Sequence, residues 1–468
     1  MASILIVTRG LPSVLYQSVE LARRLTVAGH RLTFAGDPSA RPLVEHHGVA
    51  FQSLDPDGYE PFLEEDATTP AVRRLLAIGR RRARARESLG VGAFARLVRE
   101  TRPDLILVNG EMHAHIIAAA MAGARMALLN SFVSIWREAG IPPPHTLARP
   151  GVGWSGTRAG AALLWRALRL RKQHRRWSER VRHIGCDRVS VYRDLARAVG
   201  FPFERDTDDR QWLIPFTYRH LPVLSLHAQE FEFPHRPPAH VHFVGPMVLA
   251  SRIDQPQTAA DRDRLEAIVA RRRAAGADGR LIYAAFGSVF STDLTFLRRL
   301  VGIVEARPHW ELIISLSHQV EPAAVGPLPP RVHTFPWVPQ VQVLQHADVA
   351  VTHGGISTVD ECVLSGVPPL IYCGWETDMA GTTARAVHHG VGIAGDRQRD
   401  STTDIRAHVD RLLSEPGVRE RVQRMQGLYA AYETHRVAER AVDALLQAPV
   451  TDGGADPAGG SGHGGRRR

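Results

Sequence analysis

The sequence predicts an α/β protein made of two parallel-sheet halves that are joined by a linker. Short apolar runs alternate with helical patterns from the start of the chain, a proline-rich stretch at 231–256 interrupts them, and the alternation restarts near residue 281. This alternation is typical of parallel sheets covered by helices on both faces. Two such halves enclose a cleft, and we expect ligands near the carboxyl ends of the strands that face it.

The individual elements follow from the hydrophobic period. In the first half, strands are predicted at 3–7, 31–35 and 105–108, and an amphipathic helix at 18–28 ends at Gly29. In the second half, strands are predicted at 281–286, 311–316, 349–352 and 369–372, each with a helical segment after it.

Composition limits the classes of protein to which the chain can belong. Its 468 residues suit two or three domains, and 44% hydrophobic with 23% charged residues is ordinary for a globular protein. Cys186, Cys362 and Cys373 form no CxxC pair, which argues against a disulfide framework or a metal site. The opening apolar run is too short for a signal peptide, and no stretch reaches the roughly 20 apolar residues of a membrane span. We expect a cytoplasmic location.

The net charge of +10 predicts an anionic partner. The positive residues concentrate at 73–86 and between Arg166 and Arg182. No zinc-finger, helix-turn-helix or RNP pattern accompanies them, so nucleic acid is not favoured. A phosphate-bearing ligand or an anionic membrane surface fits the charge equally well.

The turn His353-Gly354-Gly355 is the strongest candidate for a ligand site. It directly follows the apolar run VAVT and precedes a helical pattern. A strand, a glycine turn and a helix start allow close approach to a phosphate, which the free N–H groups and the helix dipole stabilise. Ser357 and Thr358 can add hydroxyl hydrogen bonds, and Glu361 can accept two from a ribose diol. Taken alone, the turn favours an ordinary capped helix with a hydrogen-bonded histidine.

Further motifs surround this turn: HGGIST with Glu361, GVPPLI, Asp378, Arg385 with GVG at 390–392, WVPQ at 337–340, Gly287-Ser288 and the linker-like FPHRPPAHVHFVGPM. Together they resemble the donor signature of family 1 glycosyltransferases. Near the amino terminus, ELARRLTVAGHRLTFAGDP resembles the family's first helix and second strand. The resemblance implies a GT-B fold, in which two Rossmann-like domains place their parallel sheets across a cleft.

The resemblance also implies the domain boundaries. We expect an acceptor-binding Rossmann-like domain at 1–240, an interdomain linker at 241–265 and a nucleotide-sugar-binding Rossmann-like domain at 266–430. A carboxyl-terminal helix at 431–448 is expected to pack back on the first domain, and the Gly-rich tail at 449–468 to be disordered.

Matched to the family's motif, each donor-site position takes a role. Trp337 would stack on the pyrimidine in the segment that includes Val338, Gln340 would lie beside base and ribose, and Glu361 would hold the ribose hydroxyls. The diphosphate would be held by His353, the backbone of Gly355, Ser357 or Thr358, and Ser288. Asp378 would bind hydroxyls of the sugar, although Met379 and Thr382 replace the family's usual Gln and Asn. No cofactor or metal is implied, because the co-substrate is a UDP- or dTDP-linked sugar and His353 would stabilise the leaving group.

The family's catalytic dyad is absent from this sequence. Its histidine, which deprotonates the acceptor, corresponds to Val14, and the aspartate that orients it corresponds to Asn109. Glu111, His113 and His115 cluster just after the same strand, and on a helix Glu111 would share a face with His115 and orient it. The alternative is a polar helix start with buried, hydrogen-bonded histidines. An acidic acceptor that needs little base, or a non-catalytic homologue that serves as a partner, would also explain the missing dyad.

The acceptor side is less specific. Residues 128–136 and 141–145 are apolar and turn-rich, which suits the wall of a hydrophobic pocket or a plain strand and loop. The segment at 161–182 mixes apolar side chains with eight Lys and Arg residues, as interfacial helices do. The apolar residues are Leu163, Leu164, Trp165, Leu168, Leu170 and Trp177. A helix packed on its own domain is the alternative.

These observations predict an inverting, metal-independent glycosyltransferase that moves a sugar from UDP or dTDP to a hydrophobic natural-product or lipid acceptor. Peripheral contact with the inner face of the membrane through Arg166 to Arg182 would present such an acceptor. A non-catalytic binding or activating partner is the alternative, and a nucleotide-sugar epimerase lacks motif support.

Overall fold

The structure is a computed structural model that describes residues 1–54, 57–120, 124–250, 258–287, 293–374 and 377–448. The predicted tail at 449–468 and Ser288 lie outside the described residues. Strand bounds are β1 Ser3–Val7, β2 Arg31–Gly36, β3 Ala50–Ser53, β4 Leu105–Asn109, β5 Arg125–Asn130, β6 Thr207–Asp208, β7 Thr217–Tyr218, β8 Val223–Ser225, β9 Val241–Phe243, β10 Arg280–Ala285, β11 Trp310–Ser315, β12 Val332–Phe335, β13 Val349–Thr352, β14 Pro369–Ile371 and β15 Ile393–Ala394.

Helices cover both faces of the sheets. Their bounds are α1 Pro12–Val27, α2 Arg41–His46, α3 Tyr59–Ala67, α4 Ala71–Leu76, α5 Ile78–Glu87, α6 Val91–Thr101, α7 His113–Ala120, α8 Arg158–Arg182, α9 Arg188–Val199, α10 Phe203–Asp206, α11 Ala259–Ala274, α12 Leu294–Val301, α13 Gln340–Leu344, α14 Ile356–Leu364, α15 Asp378–His388, α16 Thr402–Ser414, α17 Pro416–Thr434 and α18 Val437–Gln447. Among the described residues, no helix is long and apolar enough to cross a membrane.

Two parallel sheets organise the chain. The first has the order β3-β2-β1-β4-β5-β8-β9, and the second has the order β12-β11-β10-β13-β14-β15. Every pairing in both sheets is parallel. The strand order reverses between β1 and β4 and again between β10 and β13, so a crevice opens at the carboxyl ends of these strands. The predicted fold of two Rossmann-like domains is confirmed.

Each sheet is buried on both faces. Ile4, Ile6 and Leu107 pack under α1 and α18, whereas Leu5 and Ile106 pack on the other face with α6 and α7. The continuous apolar runs of the strands arise from this two-sided burial.

Several element boundaries differ from those predicted. Helix α1 begins at Pro12, six residues earlier than predicted, because proline is well suited to a first helical turn. The predicted linker at 241–265 contains β9, which pairs with β8 in the first sheet, and also the start of α11. Helix α18 contacts α1, and its Ala438 and Val442 are buried in the core of the first domain.

Candidate functional site

The glycine turn lies at the carboxyl end of β13, directly before α14. Gly354 has φ +86°, and a Cβ placed there would lie 2.7 Å from Ile371 and 3.0 Å from the Thr383 hydroxyl. Gly355 is the N-cap residue of α14. The ring of His353 lies beside it, so a Cβ placed on Gly355 would be 3.0 Å from Nε2 of that ring. Glycine is therefore required at 354, whereas at 355 a side chain would push against the His353 ring. The first N–H groups of α14 remain without intrahelical partners, as an anion site needs.

The neutral form of His353 is favoured in this turn. Burial lowers its pKa to about 4, although a hydrogen bond to the backbone of Ala285 acts in the opposite direction. Its ring lies against Gly287 as well as Gly355, since a Cβ on Gly287 would be 3.1 Å from the ring. At neutral pH, His353 carries no positive charge and a single N–H, so it can donate a hydrogen bond to a ligand only in place of its bond to Ala285.

Substitution of Gly354 by alanine should lower the free energy of unfolding by about 1–2 kcal/mol for the left-handed φ, with about 1–3 kcal/mol more for the clash. Gly276→Ala is the matched control, because Gly276 has φ +60° but nothing within 4 Å of its Cβ position. Urea denaturation of both variants measures the two costs. Equal losses would show that Ile371 and Thr383 move aside without cost.

The predicted ribose site forms a hydrogen-bonded group. The Tyr283 hydroxyl donates to Gln340 Oε1 at 3.0 Å, and the Gln340 amide donates to the Glu361 carboxylate. The same amide lies 3.5 Å from the Thr358 hydroxyl. Glu361 is buried, so its orientation is fixed by this contact. The sequence did not indicate Tyr283, because it lies inside an apolar strand whose pattern predicts only core packing.

The structure brings the predicted base-binding segment to the same end of the sheet. Trp337 is half-buried and Val338 is buried, directly after β12 and two or three residues before Gln340. Ser357 donates to the backbone oxygen of Ser13 at 3.4 Å. The first turn of α14 therefore meets the first turn of α1 across the cleft.

Asp378 opens α15 and faces the first domain. Burial, with a smaller contribution from the charge of Glu111, raises its pKa to about 6, against hydrogen bonds from the N–H groups of Asp378 and Met379. Thr382 is buried and donates to the backbone oxygen of Asp378 at 3.2 Å, so its hydroxyl is occupied within the helix. Two carboxylates from different domains thus approach each other in the cleft.

The two positions of the family's dyad contribute structure here. Val14 is buried within α1. Asn109 is buried at the end of β4, where its Oδ1 accepts the N–H of Glu111 at 3.1 Å and shapes the following turn.

The predicted helical pairing of Glu111 with His115 is wrong, because α7 begins only at His113 and Glu111 lies in the turn before it. His113 is buried among aromatic rings, with its centroid 4.4 Å from that of Phe216. Burial lowers the pKa of His113 to about 3 and that of His115 to about 4.

Glu111, His113 and His115 nevertheless line one cavity, of about 190 Å³, at the carboxyl ends of β1, β2 and β4. Of the carboxylates there, Asp37 accepts from Ser39 and Asp57 pairs with Arg188 at 3.0 Å. No described residue makes a hydrogen bond to the carboxylate of Glu111. Burial raises its pKa, and the charge of Arg9 partly offsets this.

Comparison with known proteins places this geometry in context. Residues 301–442 match the family model described as the erythromycin biosynthesis protein CIII-like C-terminal domain. The oleandomycin glycosyltransferase of Streptomyces antibioticus is 31% identical over 179 residues, which are 38% of this chain and 41% of that protein. The match thus spans about two fifths of the relative. The residues matched by the family model lie in the second half of the chain, which carries the glycine turn.

Solved structures match the chain over nearly its whole length. The glycotransferase of kitacinnamycin is 24% identical with a TM-score of 0.65, covering 95% of this chain and 98% of that one. The glycosyltransferase VinC in complex with dTDP is 20% identical with a TM-score of 0.57, covering 94% and 100%. At these identities the likeness establishes the GT-B fold.

Proposed function

We propose that the protein is an inverting glycosyltransferase that moves a sugar from a UDP- or dTDP-linked donor to a hydroxyl of a hydrophobic natural-product or lipid acceptor. The observation that carries this proposal is the assembly, at one edge of the second sheet, of the glycine turn, neutral His353 and the Gln340–Glu361 pair. The dTDP complex of VinC and the transferase names of the relatives support the same chemistry.

The donor's diphosphate would lie at the amino terminus of α14. The N–H groups at the start of α14 and the helix dipole favour negative charge. Such charge grows on the leaving phosphate oxygen as the bond between the sugar and the diphosphate breaks. His353 would donate its single N–H to that oxygen in place of the Ala285 carbonyl. This arrangement supplies charge stabilisation from backbone dipoles, and we propose transfer without a metal ion.

Among the three candidate bases, Glu111 is the best placed to accept the acceptor's proton. Its carboxylate lines the cavity, has no hydrogen-bond partner among the described residues, and is close enough to Asp378 to affect its pKa. In the proposed step, the acceptor hydroxyl loses its proton to Glu111 and its oxygen bonds the anomeric carbon. The nucleoside diphosphate leaves from the opposite face with the bonding electrons. His113 and His115, both buried against aromatic rings, are poorer bases for this step.

The test is transfer from UDP-glucose and dTDP-glucose to a panel of macrolide, aromatic polyketide and lipid hydroxyls, with nucleotide binding measured in parallel. We expect a β-linked glucoside from an α-linked donor. Nucleotide binding without transfer to any acceptor would favour the non-catalytic partner, and a changed sugar nucleotide without acceptor would favour an epimerase.

We also propose that α8 contacts an anionic membrane surface. Trp165 and Leu168 are buried in the first domain, and Trp165 donates to the backbone of Ile141 at 2.8 Å, so the interfacial interpretation is wrong for these two residues. Lys172 is also buried and donates to Gln211 and Leu213. The opposite face, however, is apolar and open: Leu163, Leu170, Trp177 and Val181 are 49–65% exposed.

These four side chains form one stripe, because their spacing of seven, seven and four residues keeps them within about 40° of one another around the helix. Arginines border the stripe on both sides: Arg169, Arg176 and Arg180 on one, and Arg171, Arg175 and Arg182 on the other. Exposed Val72, Leu75 and Leu76 of α4 lie near the carboxyl end of α8, where Arg74 donates to the backbone of Arg182 at 3.4 Å. An apolar stripe between rows of arginine is complementary to anionic headgroups above acyl chains.

The chain should therefore sediment with vesicles that contain phosphatidylglycerol and much less with pure phosphatidylcholine. The double variant Leu170→Ser/Trp177→Ser should weaken binding at least tenfold, because it removes the side chains that enter the bilayer. Leu428→Ser is the control, since Leu428 is similarly exposed but lies on α17 of the second domain. Equal binding of both variants and the wild type would remove the proposal.

A further inference from the structure

A buried ion pair joins the two domains beside the cleft. Arg385 of α15 donates from Nε to Glu232 Oε2 at 2.5 Å, and both side chains are only 1% exposed. The Arg385 guanidinium also lies 4.5 Å from the centre of the Phe233 ring and donates to the backbone oxygen of Gly381 at 3.0 Å. We infer that Glu232 and Arg385 are positioning residues, which set the place of the sugar-binding Asp378 relative to the acceptor cavity. The inference rests on the proposed transferase function.

The geometry of α15 connects Arg385 to Asp378. The two residues are seven positions apart, so they lie two turns apart on nearly the same face, about 10 Å along the axis. Because a helix is stiff over this length, fixing the guanidinium at one end fixes the carboxylate at the other. Asp378 has no comparable anchor of its own to the first domain among the described residues.

Glu232 connects the pair to the acceptor side. Its Oε1 accepts the N–H of Ser134 at 2.5 Å and lies 2.7 Å from Nε2 of His227. Ser134 belongs to the segment after β5 for which the sequence allows either a pocket wall or a plain strand and loop. From His227, contacts of 3.3 Å to Ser225 and 3.2 Å from Ser225 to Asn130 reach the ends of β8 and β5. The Glu232 carboxylate thus contacts the segment after β5 through Ser134, helix α15 through Arg385, and the edge of the first sheet through His227.

The first domain also packs closely against α15 around the Glu232–Arg385 pair. A Cβ on Gly381 would overlap the backbone of Pro144, so the first domain touches α15 directly at that position. Ile141, Phe233 and Ala384 form a small buried cluster beside it. His389, just past the helix, lies 3.0 Å from the backbone oxygen of Glu232. The residues that contact α15 here all belong to the first domain, and they meet one face of the helix.

The pair remains charged at working pH. Burial alone would raise the pKa of Glu232, but Arg385, His227 and the Ser134 N–H together hold the pKa at about 2. A buried ion pair adds little stability over a well-packed apolar pair, yet it imposes direction, since the planar guanidinium donates to Glu232 from Nε and to the Gly381 carbonyl from a terminal nitrogen at a fixed mutual angle. Displacements of about 1 Å in an active site can cost about a hundredfold in rate. An orienting role therefore explains why charge is buried here.

The test compares Glu232→Gln, which keeps the shape but loses the charge, with Arg385→Lys, which keeps the charge but loses the planar guanidinium. Each should lower kcat for transfer at least tenfold and leave the dissociation constant of the nucleoside diphosphate within about threefold. The control is Glu433→Gln, because Glu433 also faces the other domain, 3.7 Å from Arg24, but is two-thirds exposed. Its kcat should stay within about twofold of the wild type.

Hydrogen exchange gives a readout that needs no turnover. In Glu232→Gln, exchange should quicken together in residues 131–136 and 378–388, because one carboxylate orders both segments. Faster exchange in only one segment, or wild-type kcat in both variants, would overturn the positioning role. If Glu232→Gln does not fold, Arg385→Lys decides by the same two measurements. Failure of the wild type to transfer any sugar would instead refute the proposed function. The hydrogen-exchange result would then be the test of whether Glu232 and Arg385 order the two segments.

Discussion

Replacement of Glu111 by glutamine should lower kcat/KM for sugar transfer by about 10²–10⁴-fold, the usual contribution of a positioned general base. Glutamine has the same shape but cannot accept the acceptor's proton, so nucleotide affinity should change little. The side chain lines the cavity and its carboxylate has no hydrogen-bond partner among the described residues, so its replacement should not destabilise the fold. Initial rates at subsaturating acceptor, with dTDP- or UDP-sugar in excess, measure the loss.

The pH profile separates Glu111 from its neighbours. Burial raises the pKa of Glu111, and the base must be ionised, so wild-type kcat/KM should rise with pH through that pKa. This rise of kcat/KM with pH should disappear in Glu111→Gln. Any rise that remains is assigned to Asp378, whose pKa is about 6. His115→Gln is the matched control within the same cavity. A large loss in His115→Gln with near-normal activity in Glu111→Gln would transfer the base role to His115.

Replacement of His353 by alanine should lower kcat/KM by about 10²–10³-fold, the cost of removing one donor that stabilises developing charge. The loss should be nearly the same from pH 6 to 8, because the pKa of His353 is held near 4 by burial and the ring is already neutral there. Steady-state kinetics with a single donor and acceptor across this range provide the measurement.

His346→Ala is the control for this substitution. His346 lies before β13, at the opposite end of the same strand from His353, and is half-buried. Its removal should change kcat/KM by less than about threefold. If His353→Ala retained full activity, the glycine turn would bind the donor through its backbone alone, and the role given to the imidazole would be wrong.

The parts of the site that depend on strand ends could be predicted from the sequence. The predicted strand at 349–352 coincides with β13, because an apolar run bounded by a glycine turn has few other folds. Parallel strands bring their carboxyl ends to one edge, so the segments after β12 and β13 had to meet, as Gln340 and Glu361 do. The roles in donor binding of all the candidate residues stay predictions: Ser288, Trp337, Val338, Gln340, His353, Gly355, Ser357, Thr358, Glu361 and Asp378.

What depends on contacts between distant segments could not be predicted. Glu232 and Arg385 are 153 residues apart, and no period or motif links them. Composition likewise could not show which face of α8 is buried, so it grouped Trp165, which packs inside, with Trp177, which is exposed. The turn before α7 was missed because Asn109 ends β4 with a side-chain hydrogen bond to the N–H of Glu111, which delays the helix by two residues.

Titration calorimetry of UDP and dTDP into the full chain tests most directly the central claim, that the turn at 353–355 and Glu361 hold a nucleoside diphosphate. We predict one-to-one binding of at least one of the two, weakened at least tenfold by Glu361→Ala and by Gly354→Val. Both variants should first be shown by circular dichroism to be folded. Absence of binding by either diphosphate to the wild type, or undiminished binding to folded Glu361→Ala, would contradict the account.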